Sequence, residues 1–388
     1  MKKYWPLLVV VGVIVATLGI HYVQVASAAN KNTVTFETLT GDEQYIKNLI
    51  IEGSIESTAD YNPVLIINGE TKLQRYSVYE RPIPRVYESL MQNYKSFMRG
   101  KLLEANHYYE DDTQLVYVQE PINPWKLADG ADLPYEIEIL NKNDERVTVF
   151  TVNSKLNSSA QWITLEHVQV VGNELKLVTN HMKSMGDGEM HLLTIDIKNK
   201  QLIDDAIIEV MQGTEAYRMY VGFYYEYYHL GPEKYLVYNI NTHDARTEEY
   251  KQRSQQFKIL NLVTNDITEI EIPQQILGDE HRMLVLDHQM IAATVIDGKV
   301  VINRYNIGQQ QWLEPITLEA TYEVVQRALF DLQTLNDKLY VLAQVAEGQL
   351  LYIVDAQSGE TLYSGLIQPT SPQPNFAVSV SRFYENMD

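Results

Sequence analysis

Apolar and polar residues alternate in short runs along most of this chain, and glycine, asparagine or aspartate punctuates the runs. The clearest stretch is LYVLAQVAEGQLLYIVDAQSGETLYSGLI, from Leu339 to Ile367. Three strands are expected there, joined at Glu347-Gly348 and at Gln357-Ser358-Gly359, where tight connections need positive φ. A three-stranded meander cannot bury a face by itself, so it needs neighbours of its own kind. Weaker copies lie upstream: EMHLLTIDIKNKQLIDDAIIEV (Glu189–Val210), FKILNLVTNDITEIEI (Phe257–Ile272) and KVVINRYNIGQQQWLEPITL (Lys299–Leu318). In each, a strand ends near a polar residue, a short turn follows, and a second strand leaves. Asp196, Asn306 and Asp355 hold matching places before the turn, and Val263 takes the equivalent place in the remaining copy. Another strand precedes each copy: ELKLVTNH, KYLVYNIN, QMIAATVID and KLYVLAQV. YEIEIL (Tyr135–Leu140) and VTVFTV (Val147–Val152) add a hairpin with near-perfect alternation.

Val263, Asn306 and Asp355 recur 43 and 49 residues apart. A four-stranded unit repeating about every 40–50 residues is the period of a β-propeller blade. The chain length then predicts an all-β fold of about seven blades, six to eight allowing for inserts. This strand grammar resembles extracytoplasmic bacterial β-propellers of the WD40-like or quinoprotein-like kind, from about Tyr45 onward. No Trp-Asp dipeptide closes a blade and no tryptophan motif recurs. The resemblance therefore implies a fold and no activity, because propellers host enzymes, scaffolds and receptors. Thr33–Glu37 and Leu49–Ile55 have no local partner strand, and Phe376–Tyr384 is a lone strand at the other end, so ring closure is expected to pair early strands with late ones.

Two stretches break the pattern. Residues 82–104 place Val86, Leu90, Tyr94 and Phe97 or Met98 at helical spacing, with prolines only at the front, which predicts one inserted amphipathic helix. It carries Arg81, Arg85, Lys95, Arg99 and Lys101, a basic excess suited to a solvated face or to docking on an acidic body, a partner or a membrane. At the start, Met1-Lys2-Lys3 precedes an apolar run to Ile20 and then Ala26-Ser27-Ala28-Ala29. A basic head, an apolar core and small residues describe an export signal, cleaved after Ala28, or an uncleaved anchor. The expected organisation is a signal peptide or transmembrane helix over 1–29, a linker over 30–44 and a propeller-like domain over 45–388. Either form of the first segment places the bulk of the chain outside the cytoplasm, in the membrane or secreted.

Composition sharpens this picture. Net charge is −20, which repels phosphate backbones and argues against nucleic acid as a partner. The absence of cysteine excludes disulfides and a lipoprotein anchor, which suits a bacterial cell envelope. Tyrosine stands out at 27 against 8 phenylalanines, either as strand former or as binding surface.

Candidate chemistry is sparse. Phe223-Tyr-Tyr-Glu-Tyr-Tyr-His229 carries too many rings for one strand face to bury, so Tyr224, Tyr225, Tyr227 and Tyr228 form a candidate binding patch. HMKSMGDGEMH turns about Gly186 and would set His181 opposite His191, with Asp187 and Glu189 near enough to share a metal; the alternative is a polar cross-strand pair. Asn141, Asn143 and Glu145 space oxygens as calcium loops do, but without the glycine and distant glutamate of such loops, so a β-turn is the better reading. Glu110-Asp111-Asp112 is another acidic loop. Asp279, Glu280, His281, Asp287 and His288 gather acids and histidines around one strand. No Gly-x-Ser-x-Gly, His-Glu-x-x-His or phosphate-cradling glycine loop occurs, so no catalytic residue is assigned and no cofactor is implied. The expected function is a non-enzymatic envelope binding or scaffold protein whose partner is a protein, peptide or glycan. The alternative is an envelope hydrolase or lyase using loop acids and histidines at the propeller mouth.

Overall fold

The computed structural model describes residues 33–56, 61–68, 70–73, 83–121, 130–156, 160–184, 186–224, 229–245, 252–276, 282–319, 321–325, 331–370 and 377–385, with residues 12, 14–17, 19 and 20 near the start. The protein is an all-β propeller. Among the described residues there are six sheets of four or five antiparallel strands, the low end of the expected six to eight.

In chain order, β1 (Val34–Gly41) and a single helical turn, α1 (Gln44–Lys47), lead into the first blade, β2 (Leu49–Glu56), β3 (Tyr61–Ile67) and β4 (Glu70–Leu73). Two helical pieces follow, α2 (Arg85–Asn93) and α3 (Lys95–Met98). The second blade is β5 (Tyr108–Glu110), β6 (Gln114–Gln119), β7 (Asp132–Asn141) and β8 (Val147–Lys155). The third is β9 (Trp162–Val171), β10 (Glu174–Ser184), β11 (Asp187–Asp196) and β12 (Gln201–Met211). The fourth is β13 (Tyr217–Tyr224), β14 (Tyr235–Asp244), β15 (Gln252–Asn261) and β16 (Ile267–Ile270). The fifth is β17 (Arg282–Leu286), β18 (Gln289–Ile296), β19 (Lys299–Asn306) and the short β20 (Gln311–Trp312) and β21 (Ile316–Thr317). The sixth is β22 (Asp331–Leu335), β23 (Lys338–Gln344), β24 (Gln349–Asp355) and β25 (Thr361–Pro369); the chain ends in β26 (Ala377–Glu385).

The ring closes twice. β26 returns to the first blade and pairs with β2, Ile51 opposite Phe383. β1 adds a fifth strand to the last blade by pairing with β25, Phe36 opposite Ile367. Each closure covers a strand edge that would otherwise lie open. The stretch expected as a linker thus holds a strand of the last blade.

Apolar clusters weld the blades face to face. Tyr135, Leu165 and Leu177 join the second to the third; Tyr238 and Leu192 join the third to the fourth. Phe257 with Met290, Val341 with Ile302, and Tyr363 with Ile51 continue round to the first. The remaining gap, between blades one and two, is filled by the insert. Tyr87, Leu90, Phe97 and Met98 pack on Tyr108, Tyr117 and Leu140 of blade two. Toward blade one, Arg85 Nε lies 3.5 Å from Glu52 Oε1 and its guanidinium sits 5.9 Å above the Tyr384 ring. Lys101 reaches Glu138 at 2.7 Å, between the rings of Phe97 and Tyr117. Two of the basic residues therefore dock the insert on the acidic body. The single helix expected over 82–104 is shorter and broken, because Tyr94 leaves the helical region at φ −127°, ψ 46°.

The shared turn has a definite geometry. Asn141, Asp196, Asn261, Asn306 and Asp355 each end the third strand of a blade and accept a backbone N–H from two or three residues on, at 2.7–3.0 Å. Four residues beyond each stands a left-handed residue, Glu145, Lys200, Asn265, Gln310 and Gly359. The equivalent place in the fourth blade is therefore Asn261 and not Val263.

Candidate functional site

The inner strands β5, β9, β13, β17, β22 and β26 face the propeller axis. β9 is irregular. His167 pairs with Val178 and Leu165 with Thr179, so Glu166 is an extra residue, a β-bulge. Leu165 and Val168 both pack into the core between blades two and three. The two residues between them, Glu166 and His167, are turned away from it together and line the same cavity on the axis.

The chain before β14 crosses the axis. Glu110 of blade two donates its backbone N–H to Leu230 O at 2.7 Å, and Leu230 is buried among Tyr87, Leu90 and Tyr108. Glu233 donates its N–H to Gln169 Oε1 at 2.9 Å, and its Oε2 lies 3.6 Å from His167 Nε2. A strap from blade four thus passes over blade three to reach blade two. Gly231 permits the tight path, since a Cβ there would meet His229 Nε2 at 2.8 Å.

The strap divides two cavities. One, of about 490 Å³, is lined by His229, Glu233, Lys234, Asp287, His288 and Thr334 among others. The other, about 10 Å³, is lined by Asn106, Glu166, His167, His229 and Glu233 among others. His229 and Glu233 belong to both. Burial drives the His167 pKa down to about 4; its contact with Gln169 opposes this and His229 adds to it. Burial also lowers His229. Glu166 is raised by burial, against the pull of Thr164 and Asn180. The site therefore holds neutral imidazoles beside carboxylates, a surface that can accept hydrogen bonds and positive charge.

Of the residues picked from sequence, Asp287 and His288 reach this site, in the turn between β17 and β18. Asp279, Glu280 and His281 lie outside the described residues. Tyr225, Tyr227 and Tyr228 lie outside them too. Tyr224 is packed: its hydroxyl accepts from Asn239 Nδ2 at 2.8 Å, its ring stacks on Phe257 at 5.6 Å, and burial pushes its pKa up to about 12.

His181 and His191 sit on facing strands but not opposite one another. His181 pairs with Glu189 and His191 with Thr179. The rings stack diagonally, centroids 4.1 Å apart. His191 Nδ1 meets Asp205 Oδ1 at 2.7 Å, the Ser154 hydroxyl of blade two donates to the same carboxylate, and Thr179 bonds His181 Nε2 at 3.0 Å. Glu189 is paired with Lys183 at 2.7 Å, and Asp187 accepts the Gly213 N–H at 2.7 Å. Among the described residues no group of three or more His, Cys, Asp or Glu side chains is arranged to hold a metal ion. Face-to-face rings cannot converge their nitrogen lone pairs on one ion, so the cluster reads as a buried polar joint between blades. Asn141 and Asp111 are turn residues; Asp111 accepts from the Thr113 and Gln114 N–H groups at 2.7 and 2.9 Å.

Glu166, His167 and Glu233 escaped sequence reasoning. Strict alternation would send Glu166 and His167 to opposite faces, and no residue type marks the bulge that unites them.

No family model matches the chain, and no curated protein matches it in sequence. Solved structures resemble it weakly. The polysaccharide lyase Uly1 is 8% identical over 68% of this chain and 57% of its own, at a TM-score of 0.39. A Mycobacterium tuberculosis puromycin-hydrolyzing peptidase is 10% identical over 90% and 55%, at 0.37. TolB from Acinetobacter baumannii is 10% identical over 86% and 83%, at 0.26. The chain spans little more than half the length of the first two, and none of them bears on its chemistry.

Proposed function

We propose that this chain is a binding protein of a bacterial cell envelope that takes a small polar molecule, or the end of a peptide or glycan, into the axial cavity. The observation that carries this is the meeting of two cavities at His229 and Glu233, where strap, bulge and turn bring imidazoles and carboxylates together from three blades. Such convergent polar groups in a preformed concavity are what a ligand site needs. The N-terminal pattern supports a position outside the cytoplasm, cleaved or anchored. Among the described residues no helix is long and apolar enough to cross a membrane. Protease added to intact spheroplasts tests that position, because digestion of the domain is expected and protection until lysis would refute it. For the ligand, native mass spectrometry of protein isolated gently from its own envelope should show a retained mass that Asp287→Asn/His288→Ala loses. Equal retention by both forms would move the site elsewhere.

The second reading, an envelope hydrolase or lyase, draws on one observation: Asp287 and His288 face the same cavity as His229 and Glu233. Acids and bases so gathered can move protons. Release of a chemically altered ligand by the wild type but not by the double variant would favour it.

A further inference from the structure

The larger axial cavity carries opposite charges that do not meet. Lys234, on the strap, and Asp287, in the turn between β17 and β18, both line it and both are exposed. Among the described residues Lys234 Nζ has no hydrogen bond or ion pair; it lies over the Tyr235 ring, 5.1 Å from the centroid. The Asp287 side chain has neither as well, so the two charges do not pair with each other. The neighbouring groups do not neutralise them. Glu233 is engaged, with its Oε2 3.6 Å from His167 Nε2, and burial lowers the His229 pKa, which favours its neutral ring. His288 adds an imidazole beside Asp287. The rest of the wall is largely apolar, with Pro232, Tyr235, Val285 and Leu286.

Water satisfies such exposed charges, but a ligand seated in a concave site takes most of that water away. A charge covered without a partner is costly. A lone anion would answer Lys234 and be repelled by Asp287 and Glu233; a lone cation would answer the carboxylates and be repelled by Lys234. A neutral ligand would cover both charges and pair neither. The occupant that answers both carries an anion and a cation at once, on a body that suits the apolar wall. We infer that the larger cavity takes a zwitterion with an apolar side chain, the chemistry of a free amino acid or a dipeptide, with its carboxylate toward Lys234 and its ammonium toward Asp287. This rests on the axial-site reading above and names its ligand class. The volume, about 490 Å³, is that of a small-molecule site.

Calorimetric titration of the full chain at about pH 7, where α-amino groups are largely protonated and α-carboxylates ionised, tests it with L-leucine and L-leucyl-L-leucine. At least one should bind saturably, and its N-acetyl and C-terminal amide forms should each bind about tenfold or more weakly. In Lys234→Gln the zwitterion should weaken by a similar factor while the amide form binds no weaker. In Asp287→Asn the zwitterion should weaken while the N-acetyl form binds no weaker. Equal binding of the zwitterion and its blocked forms to the wild type would overturn the inference; this arm needs no variant to fold. Losses in the variants that ignore which end is blocked would also overturn it, because the charges would then act on the fold and not on the ligand. No binding of either zwitterion to the wild type would overturn it as well, and the retained-mass measurement would then decide the axial reading separately.

Discussion

Glu110 and Leu230 belong to different blades, with a third between them, yet the N–H of one donates to the carbonyl of the other at 2.7 Å. That bond and the burial of the Leu230 side chain hold the strap across the axis. Leu230→Ala should cost about 2–5 kcal/mol in urea unfolding, as buried leucines do. A loss below about 0.5 kcal/mol, the range of ordinary surface changes, would mean the strap is not docked there.

The two closures should differ in weight. β26 is the inner strand of the first blade, and Val378, Val380 and Phe383 are buried in the cluster joining that blade to the last. A chain ending at Thr370 should lose its cooperative melt. A chain beginning at Asp42 loses, among the described strands, the outermost, half-exposed strand β1 and should stay folded with a lower melting temperature. The reverse order would contradict the ring as described.

The repeated turn makes opposite predictions at two equivalent places. Lys200 is left-handed at φ 57°, a conformation that costs a side-chain-bearing residue about 1–2 kcal/mol. Lys200→Gly should therefore be neutral or stabilising by up to about 1 kcal/mol, after glycine's own entropic cost. At Gly359, φ is 78° and a Cβ would come within 2.3 Å of Ile316 Cδ1, so Gly359→Ala should destabilise. Thermal melts of the two variants check both signs.

Acid should weaken the axial site before it reaches ordinary carboxylates. The His167 pKa is near 4 in the folded protein, and near 6.5 unfolded. Between these values the unfolded chain binds the extra proton, so stability falls as pH drops from about 6.5 to about 4, by on the order of 3 kcal/mol. His181, held at about 3 by burial, acts in the same direction. His167→Asn should flatten the decline in a series of denaturant midpoints; an unchanged slope would show that His167 is solvated.

Much of the fold was legible because strands, turns and hydrophobic alternation are local. Asp196, Asn306 and Asp355 announced the turn by residue type. Asn261 did not, because the hydrophobic run FKILNLV drew the alignment two residues on to Val263, and at four of the five left-handed places no glycine signals the conformation. The six sheets among the described residues fall at the low end of the expected six to eight, because the period was read from the compact fifth and sixth blades, while the strap and the helical insert consume chain elsewhere. The site was the least legible part. Its acids and histidines come from blades far apart in sequence, and Glu166 joins His167 only through a bulge that alternation cannot foresee. Residues Asp287 and His288 were visible as chemistry but not as neighbours of His229.

Hydrogen–deuterium exchange on the protein, with and without the small-molecule extract of its native envelope, tests the axial site most directly. Added protection should fall on residues 229–235 and 284–289, the strap and the turn that line the larger cavity. Protection confined to the aromatic run at 223–228 or to the outer strands, with the strap unchanged, would contradict it.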